Sequence, residues 1–405
     1  MDTGYLIEVA SLCLRWLHLI VGIAWIGASF YFVWLDNHLT APTDPVLKEK
    51  GVGGELWAVH GGGFYNPQKY LVAPRTLPED LHWFKWEAYS TFITGFLLIA
   101  VLYYFQASVY MIDPAVSSIS TSDAVDIGLG TLIVGYIVYD LLARLLIERS
   151  QLLFGIIYGA FVVAVTYVLT HFLSGRAAFI HVGAMLGTTM AANVFFWIIP
   201  GQKKMVTAMQ KGELPEAIHG KRGKQRSVHN NYLTLPVLFC MISNHYAFTY
   251  THPQSWLVLS LIMIAAVLIR HFFNLRHRGE VKLAYPIVGG VILLGVFAWV
   301  SPRPVAAPAA VSSAAAVAPV APVTLAEVTT IMQQRCVACH AAKPTMMPSA
   351  PAGVMFDTPE RITSQAQRMY TQVVTLKAMP LANVTAMTDE ERAKVAAWVE
   401  AGAKP

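Results

Sequence analysis

Charged residues are scarce in this chain of 405 residues. Lysine, arginine, aspartate and glutamate make up only 13% of it, which is about half the share usual in a soluble globular protein. Hydrophobic residues make up 55%, and the mean hydropathy is +0.50. This composition excludes a disordered chain and an ordinary soluble protein, and it predicts a protein embedded in a lipid bilayer.

Cysteine is rare, and the common nucleotide-binding and hydrolase motifs are missing. Four cysteines are too few for a disulfide scaffold. Without a G-x-G-x-x-G fingerprint or a P-loop, neither a Rossmann-type nicotinamide or flavin site nor the use of NTPs is expected. The His-Gly-Gly-Gly run at 60–63 occurs without a G-x-S-x-G elbow, which argues against an esterase.

Long apolar runs recur over residues 1–300, and each is about as long as a bilayer-crossing helix requires. Backbone groups in lipid must be paired within the segment, and the runs lack the alternation of barrel strands, so we expect helices. The predicted spans are residues 7–34, 88–105, 125–147, 151–171, 177–199, 232–251, 255–271 and 283–300. The predicted fold is therefore all-α, with an eight-helix transmembrane bundle over residues 1–300. The first span lacks the basic n-region and cleavage site of a signal peptide, so we expect it to be retained.

Lysine and arginine are distributed unevenly over the predicted loops. One set of loops carries Lys48, Lys50, Lys69, Arg75, Lys85, Arg149, Lys203, Lys204, Lys211, Lys221, Arg222, Lys224, Arg226, Arg276, Arg278 and Lys282. The opposite set, which includes residues 106–124 and 252–254, carries only Arg176. The positive-inside rule therefore predicts that the first set is cytoplasmic and that both termini lie outside. The net charge of +5 follows from this topology, and no nucleic-acid partner is expected.

A Pro/Ala-rich linker at 301–324 separates the predicted bundle from a tail of soluble composition at 325–405. Fully extended, this linker reaches at most about 75 Å at ~3.1 Å per residue. In the tail, Thr324 and Glu327 form one capping-box pattern, and Thr388 and Glu391 form another. These patterns predict an opening and a closing helix.

Cys336, Cys339 and His340 form a C-x-x-C-H motif, which is typical of covalent haem attachment. The two thiols would bind the haem vinyl groups, and His340 would bind the iron. A zinc knuckle and a redox dithiol are the alternatives, but zinc would need a second cysteine pair and the chain has none. With one helix before the motif and one closing the tail, we predict a small all-α, class I-like cytochrome c domain.

The second axial ligand of the iron is expected downstream of the motif. Met379 is the preferred candidate, because Met347 follows His340 too closely to reach the opposite haem face. A thioether ligand raises the reduction potential. Bacteria attach c-type haem outside the cytoplasm, so this prediction and the loop charges both place the tail in the periplasm of an inner-membrane protein.

Both domains, in this order, resemble the bacterial membrane-bound urate hydroxylase (urate oxidase) family, whose members join an eight-span domain to a cytochrome c. The matching stretches are residues 14–32, 55–65, 81–92, 181–202 and 229–246. The resemblance implies an oxidoreductase that converts urate to 5-hydroxyisourate. It also implies that electrons pass through the tail to a terminal cytochrome oxidase or a soluble cytochrome c.

Ionisable residues inside predicted spans are costly and therefore mark candidate sites. His18, His181 and His245 fall in the middle or outer part of the spans, and Arg15 lies on the same helical face as His18. One interpretation is a b-type haem held by His18 with His181 or His245, and with Arg15 on a propionate. The other is hydrogen bonding between helices.

The loop at 55–92 is rich in aromatic and ionisable residues and is a candidate urate site. Lys85 would offset the charge of the flat anion, and the glycines at 61–63 would form an anion nest. His60, His82 or Glu87 would take a proton as water adds to the ring. An aromatic belt at the membrane interface is an equally good interpretation. Urate binding near the outer face, close to the c haem, is a further alternative.

The sequence is also compatible with two other functions. One is an electron-transfer or quinol-linked cytochrome subunit without urate chemistry. The other is a transporter with a redox sensor.

Overall fold

The computed structural model of the protein describes residues 3–301, 323–347 and 350–404. The predicted linker at 301–324 thus lies almost wholly outside the described residues. The described chain is mostly helical, which agrees at a coarse level with the predicted fold class.

Each predicted span overlaps at least one helix. In chain order the helices of residues 3–301 are α1 (Thr3–His38), α2 (Pro45–Glu49), α3 (Trp86–Ile99), α4 (Ala107–Tyr110), α5 (Thr121–Leu146), α6 (Gln151–Phe172), α7 (Gly175–Asn193), α8 (Ile199–Gln210), α9 (Ala217–Ile242), α10 (Ala247–Tyr250), α11 (Ser255–Arg276) and α12 (Ala284–Trp299). Wide π-helical turns extend α3 to Tyr104 and join α7 to α8.

Six helices of the described chain are long and apolar enough to cross a membrane, namely α1, α3, α5, α6, α7 with α8, and α11. The helices at the other two predicted spans are not both long and apolar enough to cross a membrane. α12 has only 16 residues. α9 starts well before the predicted span at 232–251 with a polar segment, and it ends at Ile242. The eight-span bundle therefore remains a prediction for these two helices.

The loop at 52–70 departs from the all-α expectation. It contains β1 (Val52–Glu55), β2 (Ala58–His60), β3 (Gly63–Tyr65) and β4 (Gln68–Tyr70). β1 pairs with β4, and β2 with β3, both antiparallel. Gly61 and Gly62 have φ of 58° and 83°, which a two-residue hairpin turn of the primed type requires.

The core of the bundle lies where α5, α6, α7 and α9 meet. Tyr139, Phe179 and Leu186 are almost fully buried there. Serine side chains cap α5, α6 and α7 at Ser120, Ser150 and Ser174, and this fixes where each helix begins. α1 packs mainly on α3 at the edge of the bundle.

The tail forms a second, smaller core. Its helices are α13 (Leu325–Arg335), α14 (Pro359–Ser364), α15 (Ala366–Met369), which continues as a π-helical turn to Thr375, and α16 (Asp389–Glu400). Both predicted capping boxes are confirmed at the starts of α13 and α16. These two helices contact each other, and Trp398 is buried between the elements of this core.

The tail packs against one end of the bundle, formed by residues 106–120, 172–176 and 246–254, which we call the tail end. The Oγ1 of Thr251 donates to the carbonyl of Leu376 at 3.1 Å, and α4 contacts the turn at Leu381–Asn383. We call the opposite end, which carries most of the loop lysines and arginines, the basic end. The tail therefore sits on the end of the bundle that is poor in lysine.

Candidate functional site

The tail arranges the predicted haem ligands in a way that suits a c-type haem. α13 leads directly into Cys336. The Nδ1 of His340 lies 3.0 Å from the carbonyl oxygen of Val354, so a proton on Nδ1 leaves the Nε2 lone pair for iron. Burial lowers the pKa of His340, which favours the neutral ring that a metal ligand needs.

The two alternatives for the cysteine motif find less support. Cys336 and Cys339 are both free, and burial raises the pKa of Cys339 and raises that of Cys336 to about 12. A redox dithiol needs a lowered thiol pKa. A zinc site needs several ligands, and no group of three or more His, Cys, Asp or Glu that could hold a metal ion occurs in the described ranges.

Met379 is held near this motif by a buried arginine. The side chain of Met379 packs against the tail core, to which Cys336 also belongs. Arg392 is only 7% exposed, and its Nη1 donates to the carbonyls of Val373 at 2.5 Å and Met379 at 2.7 Å. Arg392 therefore fixes the loop that carries the predicted axial ligand.

The predicted haem b ligands lie in separate surroundings. The Nδ1 of His18 is 2.9 Å from the Oγ1 of Thr94. The Nδ1 of His181 is 2.8 Å from the carbonyl of Ala177, and its Nε2 is buried without a hydrogen-bond partner in the described structure. His245 ends a short 3₁₀ turn beyond α9 and is exposed. The exposed Arg15 donates to Ser11 on its own helix at 3.2 Å.

Two glycines bring neighbouring helices up against the histidine rings. A Cβ on Gly95 would lie 2.9 Å from the Cε1 of His18, and a Cβ on Gly128 would lie 2.6 Å from the Nε2 of His181. The backbones of α3 and α5 therefore fill the space beside these two rings. This arrangement fits helix packing better than a porphyrin, although the unpartnered Nε2 of His181 still favours a ligand there.

The structure brings together only part of the candidate site at 55–92. The Nε2 of His82 lies 3.9 Å from the Oε1 of Glu87. Lys85 precedes α3, with its Nζ 6.0 Å from the centroid of the Trp86 ring. His60 is exposed at the hairpin turn between β2 and β3, and no contact among the described residues joins it to the other candidates.

A buried charged network lies near the basic end. The Oδ1 of Asp140 accepts from the Nη2 of Arg226 at 2.8 Å and from the Nε1 of Trp197 at 2.7 Å. Its Oδ2 accepts from the Nε of Arg144 at 2.7 Å. The Arg226 guanidinium also lies 4.5 Å from the Trp197 ring and 5.1 Å from the Tyr139 ring. Asp140 is thus paired with two arginines, and the cluster has a net charge of +1.

Neutral polar groups continue this network through the bundle. The Nδ2 of Asn193 donates to the Oη of Tyr139 and to the Oδ1 of Asn230, each at 2.9 Å. The Nδ1 of His229 lies 2.9 Å from the same tyrosine oxygen. The loop-charge pattern counted Arg226 only as a cation of a cytoplasmic loop, and Asp140 was not among the candidates that the sequence suggested. The carboxylate of Asp140 inside an apolar span was the available signal.

A cavity of about 230 Å³, with both polar and apolar walls, lies at the tail end, between the bundle and the tail. It is lined by Asp113, Val116, Thr170, Ser174, Gly175, Arg176, Tyr250, Thr251, His252, Pro253, Ser255, Lys377, Ala378, Leu381 and Asn383. Burial raises the pKa of Asp113, while a hydrogen bond from Ala115 and the charge of Arg392 act in the opposite direction. The sequence could not reveal this cavity, because two distant parts of the chain form it.

Comparison with known proteins identifies a family for most of the chain. Residues 4–301 match the family described as urate oxidase N-terminal. Among curated proteins and among solved structures, the comparison found no match. Since the match covers well over half of the sequence, the chain belongs to the urate oxidase N-terminal family.

Proposed function

We propose that the protein is a bacterial inner-membrane oxidoreductase that hydroxylates urate to 5-hydroxyisourate. Membership of the urate oxidase N-terminal family over residues 4–301 carries this proposal. Water supplies the added oxygen, and the overall reaction releases two electrons and two protons. A haem bound through Cys336, Cys339, His340 and Met379 would accept these electrons one at a time.

The tail's surroundings support this electron route. The His340–Val354 contact orients the imidazole for iron, and Arg392 fixes the Met379 loop. The tail sits on the end of the bundle that the positive-inside rule assigns to the periplasm. From there, a soluble cytochrome c or a terminal cytochrome oxidase would take the electrons. No second haem is needed if urate binds on the same side.

The test is a stopped-flow spectrum of the purified full-length protein, mixed with urate in the absence of oxygen. We expect the attached haem to become reduced at a rate that rises with urate concentration. Xanthine, which lacks the urate 8-oxo group, serves as the control for non-specific reduction. A haem that ascorbate reduces but urate does not would contradict the proposal.

The alternative is an electron-transfer subunit without urate chemistry. In that case a quinol would reduce the haem and urate would not. The same apparatus therefore distinguishes the two functions.

A further inference from the structure

The cavity at the tail end is lined by the cations Arg176 and Lys377 and by one carboxylate, Asp113. Arg176, near the start of α7, is one of the lining residues, and its side-chain contacts are with neutral groups. Its Nε donates to the Oδ1 of Asn244 at 3.3 Å, and its guanidinium lies 5.1 Å from the Tyr110 ring. No ion pair to Arg176 occurs within the described chain.

The tail contributes a second cation to the same cavity. Lys377 lines it, and its Nζ contacts the Oδ1 of Asp389 at 3.0 Å. That pair is well exposed to solvent on both sides, so it neutralises Lys377 only weakly. Lys377 also has a φ of 46°, a backbone conformation that is uncommon for a residue with a side chain and worth a functional explanation.

Two helices begin at the cavity and add to its positive potential. α7 starts there with Ser174 and Gly175, and α11 starts there with Ser255. The N-terminus of a helix carries a partial positive charge and unpaired N–H groups. A Cβ on Gly175 would lie 2.1 Å from the carbonyl oxygen of Tyr250, so only glycine allows α7 to start this close to α10.

The cavity also borders the segment that carries Met379, the predicted axial ligand of the haem. Ala378 is part of its wall, and the next residue in the chain is Met379. Electrons leaving a molecule in this cavity would not have to cross the ~30 Å of hydrocarbon that separates the two membrane faces. A site at the basic end, such as the loop at 55–92, would require that crossing.

We propose that this cavity binds the urate anion, with Arg176 and Lys377 as its cationic contacts. This inference rests on the proposed function and adds the place where the substrate binds. A volume of about 230 Å³ suits one small flat molecule rather than a drug-sized ligand. Thr251 and Asn383 supply hydrogen-bonding groups for the ring edges, and Asp113 is the carboxylate available to take a proton from the attacking water.

The experiment measures binding separately from turnover. The haem of the full-length protein is first reduced with dithionite, so that bound urate cannot be oxidised. Equilibrium dialysis with radiolabelled urate then gives the dissociation constant. We expect Arg176→Gln to weaken binding about tenfold or more, because a charge-assisted contact to the anion is lost. Lys377→Gln should have a smaller effect in the same direction.

Lys394→Gln is the matched control for the tail lysine. Lys394 is also an exposed lysine paired with a carboxylate, the Oε1 of Glu327 at 3.4 Å, but it lies outside the cavity wall. Its removal should leave urate affinity unchanged. Val116→Trp, which fills the cavity from an exposed position, tests the site without removing a charge and should also reduce binding.

The outcomes separate this inference from the proposed function. If urate reduces the haem of the wild-type protein but Arg176→Gln, Lys377→Gln and Val116→Trp all bind urate normally, the substrate site lies elsewhere and the function stands. If urate fails to bind or reduce the wild-type protein, the function itself is wrong. If Lys394→Gln weakened urate binding as much as Lys377→Gln, the loss would follow from the lower net charge of the protein. That result would also contradict urate binding in this cavity.

Discussion

The two ends of the helical bundle differ in whether their charged side chains are paired. At the basic end, Asp140 is bound by Arg226 and Arg144, and the surrounding polar groups pair with one another. At the tail end, Arg176 and Asp113 border a cavity and form no ion pair within the described chain. A network of paired groups stabilises an arrangement of helices, whereas a charged side chain beside a cavity that has no ion-pair partner is available to a ligand. We therefore expect the charged residues of the basic end to stabilise the fold and those of the tail end to bind the substrate.

The largest expected effect is at the basic end. Asp140→Asn removes the carboxylate that compensates Arg226, whose side chain is only 5% exposed. Leaving such a charge unpaired costs about 3–5 kcal/mol, so we expect a large drop in thermal stability in detergent. Urate affinity at low temperature should not change.

Asp126→Asn is the matched control, because Asp126 lies on the same helix and is exposed. It should leave the unfolding temperature nearly unchanged. If Asp140→Asn changed urate affinity and caused little loss of stability, the basic end would take part in urate binding and would not mainly stabilise the fold.

A smaller effect is expected from Arg392→Gln in the tail. This change leaves the carbonyls of Val373 and Met379 without their buried donor, and an unsatisfied buried group costs about 1–3 kcal/mol. Because the same loop carries Met379, the near-infrared band of methionine-ligated ferric haem should weaken. Lys394→Gln, at an exposed position on the same helix, should change neither. An unaltered band in Arg392→Gln would mean that Arg392 does not position the ligand.

Thr251→Val tests the contact between bundle and tail. It removes the hydrogen bond to the Leu376 carbonyl, which is worth about 1 kcal/mol. We expect faster hydrogen exchange in residues 376–384, measured by mass spectrometry. Thr170→Val alters a cavity residue whose hydroxyl bonds only within its own helix, so it should not speed exchange in that segment. Equal exchange in both variants would show that the docking does not depend on Thr251.

The smallest effect is expected for Asp36, a partly exposed carboxylate at the basic end whose two lysine partners are exposed. Asp36 contacts Lys69 at 2.5 Å and Lys224 at 3.2 Å. Because exposed pairs contribute roughly 0–1 kcal/mol and are screened by salt, Asp36→Asn should lower stability slightly, and only at low ionic strength. A loss as large as that of Asp140→Asn would remove the distinction between buried and exposed charge at this end.

The sequence predicted the helices well where apolar pattern alone decides. The predicted spans at 125–147 and 151–171 lie within one or a few residues of α5 and α6. The predicted span omitted the first half of α9 because that half is polar. Arg226 and Asn230 in it are buried in the network, whereas Lys221, Arg222 and Lys224 are exposed. Single-residue hydropathy cannot distinguish a polar side chain in solvent from one paired inside a bundle.

The strands at 52–70 and the cavity escaped prediction for different reasons. The Gly61-Gly62 pair is a hairpin signal, but the strands beside it are only three residues long. The tail site was predictable because Cys336, Cys339 and His340 are adjacent in sequence. The cavity joins Arg176 with Lys377, and only the folded arrangement brings such distant residues together.

The docking of the tail on the bundle has a kinetic consequence. Donor site and acceptor domain belong to one polypeptide, so their encounter is intramolecular and occurs at a fixed effective concentration. Under the proposed function, the rate of the first electron transfer should therefore not depend on the concentration of the protein in the membrane. Only the later hand-over to a diffusing partner would slow when the protein is dilute.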